Sequence, residues 1–279
     1  RNKITLHGKN KKLGLYKKGS NEIVEITECL LVNEKINTII KELNQANIDI
    51  QEAIIKTSND EKFSILKITG EVNDISKLKK IVDVLIINDK LISQQDTIIT
   101  QIGSKKYHES ADSFFQVNQT LTKNLYDAVL NKTKEIKPQK VLDLYCGTGT
   151  IGIYVSDYCQ EIVGIDYSKS NIADANKNKE LNNVKNIKFI CDKVENRITD
   201  FKDINVVIVD PPRAGLDSKT RKNLLRINSD TIIYISCDSV TLVRDINELS
   251  IDYEVESIVL YNMFPRTHHV ENVCILNKK

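Results

Sequence analysis

Val141-Leu-Asp-Leu-Tyr145-Cys-Gly147-Thr-Gly149-Thr-Ile-Gly152 passes from an apolar run into three glycines spaced as GxGxxG. The run predicts a buried strand over Val141–Tyr145. The glycines predict a tight turn that a ligand can approach closely, opening a helix over Thr150–Tyr158. Upstream, Asn118 reads as the cap of a helix reaching about Leu130. Downstream the rhythm repeats. Strands are expected at Ile162–Ile165, Ile187–Ile190, Val206–Val209 and Ile232–Ile235. The helices between and after them are Lys169–Asn178, a short one near Val194, Lys219–Arg226 and Ser239–Leu249. Two last strands, Val255–Leu260 and Val273–Leu276, have no helix between them. Alternation of this kind predicts an α/β fold with a parallel, doubly wound sheet, and the helix-free last pair adds an antiparallel strand. This is a Rossmann-like plan, whose ligands sit at the carboxyl ends of the strands.

Residues 1–110 read differently, as mixed α+β. Strands are expected at Leu13–Tyr16, Glu22–Ile26, Ala53–Lys56, Phe63–Thr69 and Thr97–Ile102, and helices at Glu34–Leu43 and Ile75–Val82. The division expected is therefore a smaller α+β domain over 1–112 and the α/β domain over 113–279. A chain of 279 residues has room for both. No apolar run approaches the roughly 20 residues of a membrane span. The six cysteines are scattered, with no CxxC, which points to a reduced, cytoplasmic setting. Net charge is only +2, yet residues 1–20 hold Arg1, Lys3, Lys9, Lys11, Lys12, Lys17 and Lys18 and no acid. Such a segment could lie along phosphates or be a solvated sheet face.

The strand ends carry the chemistry. Asp143 lies inside its strand, ahead of the first glycine. A carboxylate there could reach an ammonium group, whereas a pyrophosphate would gain nothing from it. That tilts Gly147 and Gly149 toward the amino-acid end of S-adenosylmethionine. Asp166, about 20 residues past the glycine loop, suits a ribose diol, which a dinucleotide carries too. Asp192 could meet an adenine amino group or cap a helix. In Asp210-Pro-Pro-Arg213 the prolines stop a strand and stiffen the turn, holding Asp210 and Arg213 over the pocket. Cys237 leaves a strand just before a helix, whose N-terminus would favour a thiolate. A buried apolar cysteine is the plainer alternative. Glu271, in the turn before the last strand, could be a base. His268 and His269 are adjacent, so they face opposite sides of a strand and make poor joint ligands; no metal is expected.

Together these motifs resemble the RNA uridine-5-methyltransferases, class I enzymes that form 5-methyluridine in 23S rRNA and tRNA. The resemblance rests on Phe114-Phe-Gln116-Val-Asn118, on Asp143-Leu-Tyr-Cys-Gly-Thr-Gly149 and on Asp210-Pro-Pro-Arg213. It continues through Ser236-Cys-Asp-Ser-Val-Thr-Leu-Val-Arg244-Asp245, Met263-Phe-Pro265 and His269-Val-Glu271. It implies Cys237 as nucleophile and Glu271 as general base. Gln116, Tyr145, Asp166 and Asp210 take the cofactor positions beside the glycine loop, with Asp210 near the target base. The implied partner is RNA; the Lys-, Ile- and Asn-rich composition, that of an AT-rich bacterial genome, puts 23S rRNA before tRNA, and a monomer is the default expectation. The target uridine leaves its stack, with Phe114 or Phe115 as a stacking partner. Residues 1–112 resemble the family's central, RNA-contacting domain, and Cys29 resembles the last of its four iron–sulfur ligands. The other three would precede Arg1, and four thiolates are needed, so no cluster is expected in this chain. Because the chain opens on Arg1 rather than Met, a fragment or trimmed chain without the family's RNA-binding barrel is expected. Asp238-Ser239 departs from the family's Asn-Pro at that point. Three other readings stay open: a methyltransferase for another base, a dinucleotide-dependent oxidoreductase, and a non-catalytic or truncated RNA-binding fragment.

Overall fold

In the computed structural model, which describes residues 1–46, 49–72, 75–113, 118–263 and 270–279, the chain divides into two units, Arg1–Gln119 and Thr120–Lys279. The first is built on strands β1 (Lys3–Lys9), β2 (Lys12–Tyr16), β3 (Ile23–Glu25), β4 (Asp49–Thr57), β5 (Ser64–Glu71), β6 (Val84–Ile87) and β7 (Lys90–Leu91). They form one sheet in the order β3-β2-β1-β4-β5-β6-β7, antiparallel except where β5 meets β6. Helix α1 (Glu34–Gln45) starts where Asn33 Oδ1 accepts from the Ile36 amide at 3.0 Å, satisfying a donor the helix leaves open. Its Ile36, Ile39, Ile40 and Leu43 pack on Ile4, Leu6, Ala53, Ile55, Leu66 and Ile68 of the sheet. A second helix, α2 (Leu78–Ile81), is a single turn. A hairpin of β8 (Thr97–Ile102) and β9 (Lys105–Ser110) completes the unit. Four of these strands are not in the sequence reading: β1, β6, β7 and β9. In β1, Ile4 and Leu6 turn inward while Lys3, Thr5 and His7 take the other face, an alternation hidden among charges.

The second unit opens with α3 (Gln119–Ile136) and then alternates: β10 (Lys140–Leu144), α4 (Thr150–Val155), β11 (Glu161–Asp166), α5 (Lys169–Leu181), β12 (Ile187–Cys191), α6 (Val194–Arg197), β13 (Val206–Val209), α7 (Ser218–Ile227), β14 (Thr231–Ser236) and α8 (Ser239–Leu249). It closes on the hairpin β15 (Tyr253–Tyr261) and β16 (Glu271–Lys278). The sheet order is β12-β11-β10-β13-β14-β16-β15, parallel from β12 to β14 and antiparallel at β16. Every residue of β13 and β14 is buried, as expected of strands covered on both faces. The predicted helix after the glycines is shorter than expected: α4 ends at Val155 and tightens into a 3₁₀ turn, Ser156–Tyr158. From β10 the chain steps to β11 and β12 on one side and then crosses back to β13 on the other. The crevice outside the carboxyl ends of β10 and β13 is therefore the switch point at which such sheets bind ligands.

Candidate active site

The glycine turn sits at that switch point. Tyr145, Gly147 and Gly149 all take left-handed φ, at 59°, 53° and 76°. A Cβ on Gly149 would lie 2.5 Å from the Phe189 ring, whereas one on Gly147 would meet nothing within 4 Å. Gly149 is thus needed for packing, and Gly147 leaves the turn open on its outer side. Asp143 is buried. Its Oδ2 accepts from the Gly152 amide at 3.0 Å, while its Oδ1 has no partner. Burial, with the Asp166 carboxylate nearby, pushes Asp143 up to about 7. An unpaired carboxylate oxygen beside an open turn fits a ligand ammonium group, which would restore the ionised form.

Asp166 is tied down locally. Its Oδ2 accepts from the Gly147 amide at 3.0 Å, and its Oδ1 from the Ser168 amide at 2.8 Å and Asn171 Nδ2 at 3.2 Å. It therefore shapes the glycine turn itself, with lone pairs left over for a diol. Tyr145 donates to Thr220 Oγ1 at 3.4 Å and lines a cleft of about 260 Å³ with Tyr167, Lys193, Val194 and Glu195. Asp192 lies beside that cleft but is not the cap of α6; Lys193 is, without a side-chain bond. The capping alternative for Asp192 therefore falls away.

The nucleophile and base expected from the sequence meet across two strands. β14 and β16 are antiparallel, with Ser236 opposite Asn272, so Cys237 and Glu271 each lie one step beyond that pair at the same sheet end. Asn272 stitches them: buried, its Nδ2 donates to the Ser236 carbonyl at 3.0 Å and the Val270 carbonyl at 3.2 Å. Asp210 follows β13, next to β14, and its amide donates to the Leu144 carbonyl at 3.4 Å. Burial, then Glu271 and Asp143, push Asp210 up to about 8. Burial also raises Glu271, against the pull of the Arg213 guanidinium. Cys237 is half-buried, and its thiol is raised as well: burial comes first, then the Glu271 and Asp210 carboxylates, with Arg213 opposing. The expected thiolate-favouring effect of the α8 N-terminus is outweighed. Two carboxylates share the crevice with the sulfur, and the Asp238 carboxylate takes the helix's Thr241 amide at 2.9 Å.

Sequence reasoning missed the clamp that holds this edge together. Asp245 of α8 is fully buried. Its Oδ1 accepts from Arg244 Nε (2.9 Å), Arg244 Nη2 (2.7 Å) and Arg221 Nη1 (3.1 Å). Its Oδ2 accepts from Tyr234 of β14 (2.6 Å) and the Leu216 amide (2.8 Å). Arg244 Nη2 also donates to the Ala214 carbonyl at 2.9 Å, and Thr241 Oγ1 to the Arg213 carbonyl at 3.2 Å. The loop that follows Asp210-Pro-Pro is thus strapped onto the helix that follows Cys237. The only sequence signal was Arg244-Asp245 within the quoted motif. Gln116, Phe114, Phe115, Phe264, Pro265, His268 and His269 lie outside the described residues. Among the described residues no group of three or more His, Cys, Asp or Glu could hold a metal ion, and no helix is long and apolar enough to cross a membrane.

A family model described as tRNA (Uracil-5-)-methyltransferase matches residues 70–279. The chain belongs to that family. It is thereby an S-adenosylmethionine-dependent RNA methyltransferase of class I, with the Rossmann-like sheet described above. Its relatives in the family include an uncharacterized RNA methyltransferase of Staphylococcus aureus strain N315. That protein is 31% identical, over 98% of this chain and 70% of the relative. An uncharacterized RNA methyltransferase of Clostridium acetobutylicum is also 31% identical, over 96% of this chain and 68% of its own. Among solved structures, Pyrococcus abyssi tRNA (uracil-54, C5)-methyltransferase in complex with S-adenosyl-L-homocysteine superposes with a TM-score of 0.84. The identity there is 26%, over 99% of this chain and 75% of that one.

Proposed function

We propose that the chain methylates C5 of a uridine in RNA through a covalent bond between Cys237 Sγ and C6 of the ring. The observation that carries this is the meeting of one thiol with two carboxylates, Glu271 and Asp210, at the ends of β16 and β13 around β14. Uracil C5 is too weakly nucleophilic to take a methyl group directly. Addition of sulfur at C6 pushes the ring electrons toward C5 and O4, and C5 becomes the nucleophile. Bound S-adenosylmethionine supplies the electrophilic methyl group on its sulfonium. Asp143, Tyr145, Gly147, Gly149 and Asp166 would hold it, with Gln116 added on the strength of the family resemblance. In the substrate-free chain the Cys237 thiol keeps its proton, so Glu271 must accept it as the sulfur adds and hand it to water before it acts a second time. Asp210, raised to about 8, carries its proton at neutral pH and offers a donor to a uracil carbonyl oxygen as charge develops there. After methyl transfer Glu271 removes the C5 proton. The electron pair restores the C5–C6 double bond and expels Cys237.

The Pyrococcus enzyme's target, uracil 54 of tRNA, brings tRNA level with 23S rRNA as a candidate substrate. The test is tritium release from unmethylated 23S rRNA and tRNA transcripts carrying tritium on uridine C5. Cofactor-dependent release that Cys237→Ala abolishes is expected on one of the two. Glu271→Gln is expected to stall as a protein–RNA adduct on a denaturing gel. Methyl transfer without tritium release would move the target to another atom.

A further inference from the structure

The positive charge of the first unit gathers where β1 turns into β2. Seven cations and no acid lie in residues 1–20. The turn residues Asn10 and Lys11 both take left-handed φ, 53° and 63°, which strains a lysine and sets it at the hairpin tip. Lys9 and Lys12 stand directly opposite one another in the ladder. Like charges so placed weaken a hairpin. Neighbouring acids answer only part of this charge: Glu25 is 3.7 Å from Lys12, Glu22 is 3.2 Å from Lys17, and Glu52 is 3.7 Å from His7. Lys9, Lys11 and Lys18 are exposed and pair with no acid among the described residues. Tyr16, 47% exposed, stacks on His7 with ring centroids 4.0 Å apart and planes 13° from parallel.

We propose that this surface, from the Lys9–Lys12 tip to Tyr16 and Lys18, docks a single-stranded stretch of RNA, with a base stacked on Tyr16 and phosphates on Lys9, Lys11 and Lys18. The proposal rests on the chain's acting on RNA and adds where the strand lies. Phosphates laid along the tip would relieve the Lys9–Lys12 repulsion. An exposed ring already backed by a second ring selects a polyanion whose bases are unstacked. A duplex hides its base faces. An anionic membrane would hold the lysines by charge alone and give the stacked Tyr16–His7 pair no role.

The test uses the full chain and a fluorescein-labelled oligouridylate of about 20 nucleotides, read by anisotropy. Salt is varied between about 50 and 200 mM. Lys9→Ser/Lys11→Ser/Lys18→Ser is expected to lower the log–log salt slope by about 2, at roughly 0.7 per phosphate contact on a single strand. Its affinity should fall at least about tenfold. Tyr16→Ala should lose about 5- to 100-fold with the slope unchanged, the signature of a stacked base rather than a charge. Both variants should keep the wild-type affinity for S-adenosylhomocysteine and its unfolding midpoint. Variants that bind like the wild type, or a wild type that prefers phosphatidylserine vesicles to the oligonucleotide, would overturn the proposal. Failure of the uracil reading shows elsewhere, as absent tritium release from the wild type with the binding differences intact.

Discussion

Replacing Asp245 with Asn keeps the shape of the side chain and removes its charge, at a site where five donor contacts converge. The amide nitrogen of an Asn meets donors whichever side of that cluster it faces. If its nitrogen replaces Oδ1, it faces three guanidinium contacts from Arg221 and Arg244. If it replaces Oδ2, the Tyr234 hydroxyl can turn and accept, but the Leu216 amide loses its partner. In either case Arg221, nearly buried, loses its buried counter-charge and keeps the half-exposed Glu248 at 2.7 Å, with Asp217 farther off. Breaking a buried ion pair from one side costs about 3–5 kcal/mol. At about 2–4 °C per kcal/mol for a domain of this size, the second unit should melt about 6–20 °C lower. Tyr234→Phe, which deletes a single donor, should cost about 1–1.5 kcal/mol. The assay is thermal unfolding by calorimetry of wild type, both single variants and the double variant. Because the two changes share one carboxylate, the double variant should lose less than the sum. An Asp245→Asn midpoint within about 2 °C of wild type would refute the reading of Asp245 as the clamp between the Asp210 loop and α8.

Three more outcomes follow from the electrostatics. Beyond burial, the Glu271 carboxylate is the first charge that raises the Cys237 thiol, so Glu271→Gln should speed iodoacetamide alkylation of Cys237 severalfold at pH 7, while Asp210→Asn should matter only from about pH 8 upward, where Asp210 ionises; unchanged labelling in Glu271→Gln would contradict the arrangement. Asp143 and Asp210 are raised to about 7 and about 8, so their ionisation works against folding. Stability they contribute below about pH 4 is lost as pH rises through those values, and the ligand-free protein should unfold more easily at pH 8.5 than at pH 6. Asp143→Asn should flatten that dependence and weaken S-adenosylhomocysteine at least about tenfold, because the ammonium loses its counter-charge; unchanged affinity in calorimetric titration would remove Asp143 from the site. In the first unit, Lys56 and Glu109 form a fully buried pair at 3.7 Å, with Lys56 pushed down to about 8 and Glu109 up to about 7 by burial. Lys56→Met alone should therefore destabilise by about 3–5 kcal/mol, while Lys56→Met/Glu109→Leu should recover most of it in urea unfolding.

Much of the second unit is legible along the chain. Buried parallel strands must be apolar throughout, so Val206–Val209 and Ile232–Ile235 stand out. Local turn chemistry then marks where each strand stops, at Gly147, at Asp210-Pro-Pro and at Ser236-Cys237. The first unit is less legible because its strands have one polar face. β1 carries Lys3, Thr5 and His7 between its core residues and passes for a charged segment. β9, Lys-Lys-Tyr-His-Glu-Ser, has no β-branched residue and owes its pairing to the hairpin turn at Gly103, φ 57°.

The sequence by itself determined the strand–helix alternation, the glycine turn and the residue types that meet a nucleoside-like ligand, because each is a matter of local period and backbone freedom. Only the tertiary structure decided the charge state of those residues. The Cys237 thiol is raised rather than lowered because its strand end is buried and because Glu271 and Asp210, far from it in sequence, are brought there by the pairing of β14 with β16 and β13. Asn272 and Asp245 likewise gain their positioning roles only through partners 36 and up to 29 residues away. Desolvation and Coulomb terms depend on distance through space, and a chain read one residue at a time does not contain that distance.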